Sequence, residues 1–362
     1  MRILVWQWGR RGAGPRYGAE LAASLRGQPG VEAVLSLSRQ AELLHSNDPP
    51  VCELPVSTYA SMGGFLLRFG LAPFQVEALA ERLRALQLDL AICAMPGPLD
   101  LLMASALRRT GLPFLVVVHD ADLHPGDGLP FQMALQRSLM ARAAGLIALS
   151  THVADRLRSL APGDTRPLLL STHPPRAFGR PPPPPLAHGG RMRLLSFGRL
   201  LPYKGLDLLA DALARLKRDD WELRVVGSGP ESPELDALRA LPNVTVENRW
   251  VPEWEIAGLL AWSDALVLSH KEASQSGGAA AAVAARRWVV ATSVGGMTEQ
   301  LEGEPLARMC APTGAALAQA IAALLDERPT LLPPGGPGTY AVWRAMGAKL
   351  AADLTAVLPR LR

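Results

Sequence analysis

The sequence predicts an α/β protein of two doubly wound domains, each a parallel sheet covered by helices. Three observations carry that expectation. Apolar runs of strand length alternate with helical segments, the alternation runs through the chain twice, and a proline-rich break separates the two series. Single hydrophobic cores stop growing near about 250–300 residues, so a chain of 362 residues is expected to hold two.

The first series of strands is Ile3 to Trp8, Leu88 to Cys93, Phe114 to His119 and Leu146 to Leu149. The second is Arg193 to Phe197, Glu222 to Val226, Ala265 to Leu268 and Val289 to Thr292. Helices are predicted at Tyr17–Arg26, Phe131–Ala144, His152–Leu160, Leu206–Leu216, Glu231–Leu241, Glu255–Trp262 and Ala279–Ala285. Five consecutive prolines, Pro181 to Pro185, fit neither a helix nor a central strand and mark a semi-rigid connector over 173–190. The expected domains are therefore 1–172 and 191–339. A last helix, 340–362, carries Trp343, Met346, Leu350 and Leu354 at core-facing spacing and is expected to cross back to the first domain.

Apolar residues make up 49% of the chain and charged ones 19%, which suits packed cores and excludes a disordered protein. No apolar run approaches the roughly 20 residues needed to span a bilayer. The start at Met1 enters a strand directly, without the pattern of a signal peptide. Three widely spaced cysteines, Cys52, Cys93 and Cys310, suit a reducing compartment and offer no metal spacing, so a cytoplasmic location is expected. The net charge of +4 lies in the N-terminal half, where residues 1–185 hold 18 Arg and no Lys against 14 acidic residues. That bias is too weak for a nucleic-acid protein, yet it suits anionic head groups or a phosphate-bearing acceptor.

Three loops carry chemistry, each between a strand and a helix. In Phe197-Gly198-Arg199-Leu200-Leu201-Pro202-Tyr203-Lys204-Gly205, Arg199 and Lys204 can reach one point beyond the strand end. A forked guanidinium, a compact ammonium and a helix start together suit a diphosphate. With 33 Arg and only four Lys in the chain, the lysine is not background composition. The second loop, Gly227-Ser228-Gly229-Pro230-Glu231, allows close backbone approach to a ligand. The third runs from Ser269 through Glu272, Ser274, Gln275, Ser276, Gly277 and Gly278 into a helix of small residues. There the amides of Ser276, Gly277 and Gly278 are expected to face an anion, while Glu272 accepts bonds from sugar hydroxyls. The plain alternatives are a solvated basic turn, an ordinary glycine turn and a solvated loop acid.

In combination these loops, with Val289 to Gly296 and Glu299, resemble the retaining nucleotide-sugar glycosyltransferases of family four over roughly residues 193–301. The resemblance implies the GT-B fold, two Rossmann-like domains facing across a cleft. It implies that Arg199 and Lys204 hold the donor diphosphate, and that Gly198, Gly227, Ser228, Gly229, Glu231 and the 274–278 turn line the donor. Glu272 matches the first glutamate of the family's paired motif, and Ala280 stands where the second would fall. The first half is similar only in outline, through the loop Gly12-Ala13-Gly14 and through His119, which the resemblance turns toward the donor sugar.

The expected activity is transfer of a sugar from a UDP or GDP sugar to an acceptor hydroxyl with retention, without a metal or other cofactor. Asp120-Ala121-Asp122 offers two alternatives, a metal-holding pair or, for an inverting enzyme, a base. A nucleotide-sugar binding protein without transfer, suggested by Ala280, and an epimerase on the same fold are the rival functions. For the acceptor, the apolar segment 57–74 with Phe65, Leu66, Arg68, Phe69 and Leu71 raises a lipid-linked substrate and peripheral contact at the inner face of a membrane. The competing reading is a helix that packs its apolar face inward.

Overall fold

The computed structural model describes residues 1–59, 64, 72–122, 132–179, 184–329 and 338–361. The chain divides into two compact units: the described residues within 1–122, 128–172 and 343–362 form one, and those within 173–342 the other.

The first unit runs β1 (Arg2–Gln7), α1 (Ala13–Arg26), β2 (Glu32–Leu37), α2 (Ala72–Ala85), β3 (Leu90–Cys93), α3 (Asp100–Thr110), β4 (Phe114–Val118), α4 (Gln132–Arg142), β5 (Gly145–Ala148), α5 (Thr151–Leu160) and β6 (Leu168–Leu170). Its six strands pair in the order β2-β1-β3-β4-β5-β6, all parallel. Alternate side chains of the central strands feed two separate cores. Leu4, Trp6, Ala91, Cys93, Val116 and Val118 face one layer of helices, and Ile3, Val5, Leu90, Ile92, Leu115 and Val117 the other. Burial on both faces is why these strands read as unbroken apolar runs.

The second unit runs β7 (Met192–Arg199), α6 (Leu206–Arg215), β8 (Trp221–Ser228), α7 (Pro233–Arg239), β9 (Val244–Asn248), α8 (Glu253–Trp262), β10 (Ala265–Leu268), α9 (Gly277–Ala284), β11 (Trp288–Thr292), α10 (Gly295–Leu301), β12 (Ala307–Cys310) and α11 (Gly314–Glu327). Its parallel strands follow the order β12-β11-β10-β7-β8-β9. Strand order reverses between β1 and β3 in the first unit and between β7 and β10 in the second. Such switch points open a crevice beyond the carboxyl ends of the strands, where ligands of doubly wound sheets bind.

The final helix, α12 (Thr339–Leu361), supplies Trp343, Met346, Leu350 and Leu354 to a core of the first unit. Trp343 lies 5.6 Å from Tyr17 of α1, and a Cβ at Gly347 would press on the Ser24 carbonyl, so the two helix backbones approach closely there. In the connector, Arg176 donates its amide to Ala280 and Leu186 its amide to Ala261 (2.9 and 2.8 Å), while His188 bonds Asp264 (2.9 Å). These bonds hold the described parts of the connector to the second unit.

All four strands beyond those expected, β2, β6, β9 and β12, are sheet edges. Strands β6, β9 and β12 are only partly buried; β9 and β12 are mixed in composition, and β6 is a run of three leucines. Strand β2 is buried, but its outer side is covered by residues 52–56 through the bonds Leu54 N to Leu35 O and Val56 N to Leu37 O.

Candidate functional site

At the second unit's switch point the chain leaves β7 through Gly198 (φ 129°) and closes a tight turn over Pro202–Lys204, ending on Gly205 (φ 66°). Glycines permit the close approach of the strand ends here. A Cβ at Gly227 would overlap the Gly198 carbonyl, one at Gly229 the Leu200 carbonyl, and one at Gly205 the Ser269 carbonyl. The turn is then bonded to the loop after β10. Ser269 Oγ donates to the Lys204 carbonyl and the Lys271 amide to the Tyr203 carbonyl, both at 2.8 Å.

The structure brings Arg199 and Lys204 together around the buried Tyr203. Arg199 Nη2 donates to the Tyr203 hydroxyl (2.9 Å), and Lys204 Nζ lies 5.2 Å from the Tyr203 ring centroid while donating to His270 Nε2 (2.8 Å). Phenol and imidazole are neutral acceptors, so these two contacts direct the cations without cancelling their charge. His270 lies in the third loop, and its contact has no spacing signal because 66 residues separate the partners.

The third loop places Glu272 exposed and Ser274 buried, and leads into α9. Ser276 caps that helix by accepting the Ala279 amide (3.3 Å). Its own amide differs from expectation, being donated to Gln300 Oε1 (2.8 Å), whose Nε2 returns a bond to the Ser276 carbonyl (3.0 Å). Only the Gly277 and Gly278 amides of the three therefore suit an anion. The Gln275 side-chain oxygen is shielded and finds no partner among the described residues. Ala280 is buried, one turn into the helix, and brings no carboxylate.

The second loop is clamped by a residue the sequence reading missed. Asn248, at the end of the edge strand β9, accepts the Gly229 amide and donates to the Gly229 carbonyl (both 3.1 Å) and to Glu231 (2.6 Å). Glu231 also pairs with Arg239 (2.7 Å), and these partners, Arg239 foremost, hold its carboxyl below the ordinary glutamate range. Its charge is thus spent within the loop. Asn248→Ala is expected to destabilise the protein by about 1–2 kcal/mol in urea unfolding, the scale of hydrogen bonds lost with a partner left behind.

At the first unit's switch point, Gly12 (φ 77°) precedes α1, with Gly12 and Ala13 exposed and Gly14 packed on Gln7. Gln7 turns back to accept the Gly9 amide (2.9 Å), which fixes the loop. His119 follows β4, is 7% exposed, meets Tyr17 edge-on at 4.8 Å and bonds the Ala94 carbonyl through Nε2 (2.9 Å). That bond puts a proton on Nε2. Beside the same loop, Asp100 is buried and accepts the Gly97 amide (2.7 Å) and the Cys93 thiol (3.3 Å). Burial pushes its carboxyl up to about 7, against smaller opposing effects of Gly97, Cys93 and Trp6. Asp122 pairs with Arg156 (2.6 Å), and Gln136 bonds the Asp120 carbonyl (3.0 Å). No group of three His, Cys, Asp or Glu placed to hold a metal occurs among the described residues, and none of their helices is long and apolar enough to cross a membrane.

A family model described as glycosyl transferase 4-like domain matches residues 11–171, and one described as glycosyl transferases group 1 matches residues 191–327. No curated protein matches the chain in sequence. Among solved structures, Anabaena HepE in complex with UDP and glucose is similar at TM-score 0.66 and 17% identity, covering 99% of this chain and 97% of that one. Sucrose-phosphate synthase from Thermosynechococcus elongatus is similar at TM-score 0.64 and 16% identity, covering 99% and 97%. The UDP-GlcNAc 2-epimerase of Methanocaldococcus jannaschii is similar at TM-score 0.58 and 11% identity, covering 98% and 100%. At these identities the structures establish the shared GT-B architecture, while the two family models fall on the two units and together take in most of the chain. The chain belongs to the family-four glycosyltransferases.

Proposed function

We propose that the protein transfers a hexosyl group from a UDP or GDP sugar to an acceptor hydroxyl with retention, with no metal in the reaction. The observation that carries the proposal is the pair Arg199 and Lys204, directed by the neutral Tyr203 and His270 at the switch point of β7 and β10. Fixed cations stabilise charge as it develops on a departing diphosphate. In the transfer, the bond from the anomeric carbon to the phosphate oxygen breaks and a bond to the acceptor oxygen forms on the same face. The departing phosphate oxygen takes the acceptor proton, so the step needs no protein base. Glu272, Ser274, Gln275 and the Gly277 and Gly278 amides are assigned to the sugar and phosphates, and the Gly227 to Gly229 loop to the nucleotide. His119 and the Gly12 to Gly14 loop are assigned supporting parts.

The deciding experiment is a turnover screen across UDP, GDP and ADP sugars with and without chelator, analysing both sugar products and the recovered donor. Transfer or slow donor hydrolysis supports the proposal. Donor epimerisation, or binding with no turnover, overturns it, as does a strict requirement for divalent metal. Glu272→Gln replaces one acceptor oxygen by a donor and is expected to weaken the intact sugar nucleotide roughly tenfold more than the bare nucleoside diphosphate in calorimetry. Equal weakening of both would place Glu272 away from the sugar.

For the acceptor, a lipid-linked substrate met at a membrane surface is proposed from the composition of segment 57–74. Phe65, Leu66, Arg68, Phe69 and Leu71 lie outside the described residues, and within the described part Phe74 is 81% exposed. Such an apolar side chain on the more basic half of the chain suits a lipid interface.

A further inference from the structure

We infer that His270 is a positioning residue for Lys204, acting as a neutral post that aims the ammonium at the donor diphosphate. The inference rests on the diphosphate reading given above and goes beyond it by assigning a residue outside the expected set. Lys204 Nζ meets His270 Nε2 at 2.8 Å. An ammonium has donors only, so the ring nitrogen accepts, and the imidazole is neutral with its proton on Nδ1.

The ring is a fixed point. His270 is 2% exposed and stands edge-on to Tyr203 with centroids 6.3 Å apart. Its carbonyl accepts Thr292 Oγ1 at the end of β11 (2.6 Å). On either side of it, Ser269 and Lys271 bond the backbone of the turn that carries Lys204. A free lysine side chain holds about 2 kcal/mol of rotamer entropy, which a ligand must otherwise overcome on binding. A carboxylate in the imidazole's place would hold the lysine equally well, but it would compete with the diphosphate for the charge. A neutral nitrogen sets the direction and adds no competing negative charge of its own. Tyr203 does the same for Arg199, so one aromatic pair aims both cations.

The test compares wild type, His270→Phe, His270→Gln, Lys204→Ala and the His270→Phe/Lys204→Ala double variant, using UDP and GDP as calorimetric probes and the preferred sugar nucleotide for turnover. His270→Phe keeps an aromatic ring and loses the acceptor. It is expected to weaken nucleoside diphosphate binding and lower kcat, each roughly tenfold, with nucleoside binding unchanged. His270→Gln, which returns an acceptor oxygen, should recover most of the loss. In the Lys204→Ala background, His270→Phe should add nothing, a coupling that a merely structural histidine would not show. Wild-type behaviour of His270→Phe, or full additivity with Lys204→Ala, overturns the inference. If Lys204→Ala itself binds diphosphate normally, the diphosphate reading has failed instead. Should His270→Phe not fold, His270→Leu removes the acceptor with a smaller side chain and is judged by the same cycle.

Discussion

Replacing Arg199 or Lys204 by alanine is expected to lower kcat/KM for the sugar nucleotide by roughly a hundredfold or more, the scale of a lost preorganised donor at a developing anion. Arg199 ends β7 and Lys204 closes the turn that follows it, so on the proposed function removing either takes one cation from the point where a departing diphosphate gathers charge. Folding should change little. Arg199 is exposed, and the turn that carries Tyr203 and Lys204 is already held by the Ser269 hydroxyl and the Lys271 amide. Steady-state kinetics with a matched thermal melt separates the two effects. Near-normal turnover in either variant would remove the electrostatic account, and a fall in melting temperature as large as the kinetic loss would make it a folding defect.

The elements legible in the sequence are those whose physics is local. The central strands β3, β4, β5 and β10 announce themselves because burial on both faces demands unbroken apolar runs. The edge strands are partly exposed: β9 and β12 are mixed in composition, and β6, though all leucine, spans only three residues, so none gives a run long enough to stand out. The site divides in the same way. Arg199, Lys204 and the glycine loops lie in single segments joining a strand to a helix, so their order along the chain already implies a crevice. Asn248 at the end of β9, Gln300 in α10 and His270 in the loop after β10 reach their partners from other elements, and no spacing along one segment reveals that. Gln300 sits beside Glu299, and nothing in its own segment marks it as the side chain that bonds both the amide and the carbonyl of Ser276. Asp100 escaped for a different reason, since aspartate is rarely buried unless paired and a sequence reading assigns it to the surface.

Asp100→Asn is expected to change the pH dependence of stability strongly. The carboxyl is buried at the start of α3, with Oδ2 receiving the Gly97 amide and the Cys93 thiol. Burial lifts it from 3.8 to about 7, whereas the unfolded chain returns it to the ordinary value. The folded state therefore binds a proton that the unfolded state releases over this interval. The stability tied to that proton is fully present below about pH 4 and is lost as pH rises through about 7, a span worth about 4 kcal/mol. Asparagine keeps the shape, and its side-chain oxygen can still accept the Gly97 amide, but it has no proton to lose. Urea unfolding at several pH values from about 4 to 8 should show the two proteins nearly equal at the acid end and the variant gaining steadily toward the alkaline end. Carboxylates held low by arginine, such as Asp164 with Arg166, titrate alike in both proteins and cancel in the difference. A difference that stays flat with pH would mean that Asp100 is charged in the folded protein throughout. A difference growing in the opposite direction would mean that the Gly97 and Cys93 bonds outweigh the cost of burial.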